Sequence, residues 1–245
     1  MTCDDATSVW YVHGSGSLSA VDAVVDLLGM LAYAELLAFD RTAADARLAP
    51  DLRRRAILSE MAAREITSYR RLADRLGVLG VDPEVAMAPY VGPLEEYHQQ
   101  TQADDWFEGL TKAFVGDSIA DDFTREVAVL LQGEDRDLVL DVLHDARYAD
   151  FAAEEIRTGI QADPRLADRL SMWARRLVGE ALSQAVHVAT QRPALAMLLL
   201  GDGGSARAGN HAVDGFGPAE NAVPAMFQRL SAAHAARMAA VGLNN

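Results

Sequence analysis

The sequence predicts an all-α protein in which five long helices form one bundle. Apolar residues recur at helical spacing through long runs, and the eight prolines fall between those runs rather than inside them. With 245 residues, 50% hydrophobic and 24% charged, the chain can bury a single large core.

Residues 1–18 read as a flexible arm, a short extended run Val9-Trp10-Tyr11-Val12 followed by His13-Gly14-Ser15-Gly16-Ser17. Ser19, with Asp22 in the first turn, opens a helix expected over about 20–48. Pro50 starts a second, expected to stop at Gly77. Pro83, Pro89 and Pro93 mark a looped stretch with two short helices, the second at Leu94-Glu95-Glu96-Tyr97-His98. Asp104-Asp105 caps a helix over about 106–132, ended by Gly133, and one continuous helix is expected over 134–162. Pro164 opens another over 164–191. Pro193 begins a short apolar helix, so that the bundle spans 19–200. A Gly-rich loop covers 201–222, and a last helix lies within 223–245, with Met226, Phe227, Leu230, Ala233 and Met238 on one side.

The balance of 22 Lys+Arg against 36 Asp+Glu gives a net charge of −14, which repels polyanions and argues against nucleic acid as a partner. The single cysteine, Cys3, allows no disulfide framework and no Cys-rich metal cluster. The acidic start Met1-Thr2-Cys3-Asp4-Asp5 does not suit a signal peptide, and the longest apolar run is too short for a membrane span, so cytoplasm is the expected location. The helix over 164–191 and the last helix each offer an apolar stripe to a second copy, so a homodimer is the expected partner arrangement.

The first helix is apolar on nearly every face from Leu27 to Phe39, yet carries Glu35 in its middle. A carboxylate in a dry core must be protonated, paired, hydrogen-bonded or metal-bound. Its surroundings echo in Gly116-Asp117-Ser118-Ile119-Ala120-Asp121-Asp122, where Asp117 aligns with Glu35. Glu65 follows Glu35 by 30 positions and Asp145 follows Asp117 by 28, so each helical hairpin carries one acid per helix at similar depth. Four carboxylates facing one level of a bundle are the frame of a carboxylate-bridged metal site.

The runs Ala32-Tyr33-Ala34-Glu35-Leu36, Leu79 to Pro89, Asp105-Trp106-Phe107-Glu108-Gly109-Leu110, Ala113-Phe114-Val115-Gly116-Asp117 and Gly179-Glu180-Ala181-Leu182-Ser183-Gln184 resemble the actinobacterial ferritin-like proteins related to the tRNA-modifying hydroxylase MiaE. The resemblance covers about 20–190. It implies a ferritin-like four-helix bundle with additional C-terminal helices, a di-iron centre and O2-dependent hydroxylation, with Glu35, Glu65, Asp117 and Asp145 as the acidic ligands. The family's two histidines do not carry over: Ser68 and Tyr148 stand in their places. Four acids without imidazoles suit hard divalent cations and poorly suit a redox-tuned iron pair.

Three readings follow. In the first, no metal is bound and Glu35, Glu65, Asp117 and Asp145, with Tyr148 as donor or His187 as base, perform acid–base chemistry on a small molecule; Arg147, turned inward, would neutralise an acid. In the second, a di-metal centre of two irons or another divalent metal survives, with His144 supplying the lost nitrogen. In the third, the acids are paired core residues of a binding or structural protein. His187 belongs to a polar stripe, Glu180, Gln184, His187 and Gln191, on an otherwise apolar helix.

Overall fold

The computed structural model describes residues 20–143, 146–192 and 222–244. Helices α1 (Ala20–Asp45) and α2 (Leu52–Val78) pack closely as a hairpin. Each buries a stripe at spacings of three and four: Leu28, Ala32, Glu35, Ala38, Thr42 and Asp45 on α1, and Leu58, Ala62, Glu65, Leu72 and Leu76 on α2. Asp51 caps α2, its carboxylate accepting from the Arg54 N–H at 2.9 Å. The helix runs through Gly77, which was expected to stop it. Gly80, at φ 77°, ends it instead, its N–H and that of Val81 donating back to Gly77 and Leu76 carbonyls at 3.0 Å.

The proline-rich stretch folds as α3 (Pro83–Met87), a 3-10 turn Ala88–Tyr90 and α4 (Val91–Gln100). Helix α3 lies so close to α1 that a Cβ at Gly29 would stand 2.4 Å from the Ala86 carbonyl oxygen, a backbone atom with little freedom to retreat. Gly29→Ala is therefore expected to destabilise the fold by about 1–3 kcal/mol, read as a lowered urea midpoint at unchanged slope. An unshifted midpoint would mean that the two helices separate at no cost.

The helix expected over 106–132 is α5 (Trp106–Lys112), a π-helical segment Ala113–Asp117 and α6 (Ser118–Ala128). Its start is a reciprocal cap: the Glu108 N–H donates to Asp105 and the Asp104 N–H donates to Glu108, both at 3.0 Å. A π segment changes the register of every side chain beyond it, and such segments concentrate at functional sites. The single helix expected over 134–162 is two, because its parts have different neighbours: α7 (Gly133–Asp141) packs on α6, whereas α8 (Ala146–Ala162) packs on α5 and the π segment. Helix α9 (Arg165–Gln191) follows as expected, packing on α4, α5 and the π segment.

The arm expected over 1–18 and the loop over 201–222 lie outside the described residues, except that Ala222 opens α10 (Ala222–Ala240). The buried face of α10 is rotated from the expected one: Met226, His234 and Met238 point inward and Phe227 is exposed. The described residues contain no strand and no helix long and apolar enough to cross a membrane.

Two apolar clusters fill the interior. One holds Ala32, Leu72, Val127 and Val142; the other holds Ala46, Leu58, Val115 and Tyr148, together with Met238, Val241 and Leu243 from the C-terminus. Along α2, Glu65 falls between Leu58 of the second cluster and Leu72 of the first, whereas Ala32 and Leu36 beside Glu35 belong with the first and Val115 and Ile119 beside Asp117 with the second.

Candidate functional site

Asp117 ends the π segment, and its Oδ2 accepts from Arg41 Nη2 at 2.7 Å. Arg41 sits beside the buried stripe of α1, with only 8% of its side chain exposed. Burial opposes its charge, but Asp117, with Tyr148 and Asp45 beyond it, outweighs burial and holds the guanidinium protonated. Asp45, one turn on, is buried with an Oδ2 that receives no hydrogen bond; burial lifts its carboxyl above the ordinary range against the pull of Arg41 and Lys112.

Lys112, 3% exposed, donates from Nζ to the Thr101 carbonyl at 2.7 Å. Thr101 caps the C-terminus of α4, where the helix dipole favours a cation, and the ammonium also lies 5.2 Å from the Tyr97 ring centre. Burial and the neighbouring Arg41 bring Lys112 down to about 7, with Asp117 and Asp45 pulling the other way. Burial, Lys112 and Arg41 together hold His98 at about 2, which keeps it neutral. Two glycines let the backbone approach this group: a Cβ on Gly109 would crowd the Asp45 carboxylate at 3.1 Å, and one on Gly116 would meet Tyr97 Oη at 3.0 Å.

Glu35 and Glu65 are both buried, and neither lacks a partner. Tyr148 is 6% exposed and lies within the electrostatic reach of Arg41, Asp117, Asp45 and Glu65; burial above all raises its hydroxyl pKa, so it stays a proton donor. Tyr33, two residues before Glu35, donates to Glu95 on α4 at 2.9 Å. His187 is exposed on α9, where its Nε2 shares a 2.8 Å hydrogen bond with Gln191, outside this group; of its stripe, only Gln184 is buried. Arg147, expected as the neutralising cation, is exposed, and Arg41 and Lys112 take that role. Asp145 and His144 lie outside the described residues.

Beside Asp117 and Tyr148 is a cavity of about 200 Å³. Asp117, Asp121, Asp122, Arg125, Tyr148 and Arg237 form its polar wall, and Phe114 with three alanines its apolar one. Asp122 accepts from Arg237 at 2.6 Å and from Arg125 at 3.1 Å, while Asp121 lies 3.8 Å from Arg125. A phenol that keeps its proton and a carboxylate held by a guanidinium therefore face one space large enough for a small ligand.

Long α-helices packed in hairpins, with no strand among the described residues, are the architecture of ferritin-like proteins. The chain belongs to the actinomycete ferritin-like domain family, whose family model matches residues 20–202. No curated protein matches it.

The resemblance makes Asp117 a ligand of an iron pair, but among the described residues cations already hold it. Asp117 has one carboxylate oxygen taken by a buried guanidinium, and Lys112 adds a second buried cation within reach of Asp117 and Asp45. Among the described residues no three His, Cys, Asp or Glu side chains form a group able to hold a metal. Sequence reasoning missed Arg41, Asp45, Lys112 and Arg237. Two signals were available: Asp45 continues the Glu35 stripe, and Lys112 is the only lysine in the chain.

Proposed function

We propose that this protein is a small-molecule enzyme of ferritin-like fold that works by acid–base chemistry without a metal, as an isomerase, lyase or cyclase. In this reading it keeps the scaffold of the MiaE-like hydroxylases and has left their iron chemistry. The observation that carries it is the Arg41–Asp117 pair: a fixed buried cation stands at a carboxylate that the resemblance makes a metal ligand. Tyr148 donates a proton or hydrogen bond to the bound molecule, and Asp117, lining the same cavity, accepts one. Arg41 orients Asp117 and balances its charge. Phe114 and the alanines supply an apolar wall against which the rest of the bound molecule can pack.

The test is solvent exchange. Chelator-treated protein is incubated in D2O with a panel of small carbonyl compounds and acids, and deuterium incorporation is followed by NMR. Exchange that survives chelation and falls about 10²–10⁴-fold in Tyr148→Phe and Asp117→Asn is expected. Turnover appearing only after iron loading, with O2 consumed, would overturn the reading.

A further inference from the structure

Helix α10 lies beyond the matched family domain, yet it is built into the cavity. Arg229 grips Glu126 of α6 through two bonds of 2.7 and 2.6 Å. Met238, Val241 and Leu243 enter the core, and the Asn244 N–H donates to Ser171 Oγ at 2.9 Å. Arg237 is thereby presented to the cavity from a docked helix. Its Nη2 bonds Asp122, but its buried Nη1 has no partner. Tyr148 stands on the same cavity wall. Each acid of that wall already has an arginine: Asp117 has Arg41, Asp121 has Arg125, and Asp122 has Arg125 and Arg237. What remains unsatisfied is donor capacity, and a buried guanidinium edge left bare is costly.

We propose that the cavity binds a small molecule through an anionic oxygen, a carboxylate or an oxyanion, seated between the Arg237 guanidinium and the Tyr148 hydroxyl. Helix α10, outside the family domain, then determines what the cavity accepts. The inference rests on the reading above only in using the same cavity, because it concerns binding and not turnover.

The experiment is calorimetric titration of the full chain with benzoate and with benzamide, its uncharged analogue. Benzoate is expected to bind with Kd on the order of 1 mM, and benzamide at least tenfold more weakly. Arg237→Gln should weaken benzoate at least tenfold, and Tyr148→Phe several-fold. Asp122→Asn is expected to tighten benzoate, since it frees the second edge of the Arg237 guanidinium. If Arg237 only braces α10, Asp122→Asn instead leaves benzoate unchanged or weakens it. That result, equal affinity for the two probes, or no benzoate binding overturns the proposal. Should Arg237→Gln not fold, Asp122→Asn and Tyr148→Phe decide alone. Failure to find exchange in D2O leaves the benzoate result standing, and absence of benzoate binding leaves the exchange result standing.

Discussion

Replacing Arg41 with methionine is expected to cost about 3–5 kcal/mol of folding stability, the range for removing one partner of a buried ion pair. The variant leaves the Asp117 carboxylate half-buried beside Asp45, with no guanidinium to answer either. A loss of that size is a large fraction of the stability of any single domain, so urea unfolding should show it as a collapsed midpoint. The double variant Arg41→Met with Asp117→Leu removes both charges and is expected to recover most of the loss, since apolar replacement of a whole buried pair is often neutral or better. Single and double variants together measure the coupling directly. A cost below about 1 kcal/mol for Arg41→Met, the range of exposed pairs, would show that water reaches the pair, and the fixed-cation description of this site would fail.

Several features of this design could be read from the chain and others could not. Helices α1, α2 and α9 repeat their apolar residues over many turns, so periodicity alone locates them and puts Glu35 and Glu65 on buried stripes. The π segment has no comparable local signature: it depends on how α5 and α6 meet α8, α9 and α10 at once. The break between α7 and α8 has the same origin, since each half follows a different neighbour. Periodicity also reports which face of a helix is inside, but not which residue reaches across. Arg41 and Asp117 are 76 positions apart, and only the assembled bundle brings them together. Gly77 and Gly80 are equivalent as letters; the left-handed backbone at Gly80 distinguishes them. Lys112 is the instructive omission. In a chain with 22 basic side chains of the lysine and arginine type, the one lysine is buried at a helix end, where a compact ammonium fits and a guanidinium fork does not.

That lysine gives the second large effect, a stability that climbs with pH across the neutral to alkaline range. Folding lowers Lys112 from the ordinary 10.5 to about 7, so between these values the unfolded chain binds more protons than the native one. Stability then increases with pH, by up to about 1.4 kcal/mol per unit for one proton, and the full penalty of burying the charge is felt below 7. The groups around Lys112 set the limits of this window. Arg41 stays charged throughout, and Asp117 and Asp45 favour the ammonium. His98, held at about 2 against an ordinary 6.5, adds a rise of the same sign on the acid side. Tyr97 and Tyr148, raised by burial, act in the opposite sense: above about 10 the unfolded chain gives up phenolic protons first, and stability falls. A maximum on the alkaline side of neutrality is therefore expected from urea unfolding at a series of pH values, and Lys112→Met should flatten the rise between 7 and 10 and, by removing one of the cations that lower His98, also soften the acid-side slope. Because the chain has one lysine, protein grown on lysine carrying ¹³C at Cε yields one side-chain resonance, and its titration reads the group without ambiguity. A midpoint near 7 is expected; one above 10 would mean that the ammonium is solvated, and that Asp45 and Asp117 answer to Arg41 alone.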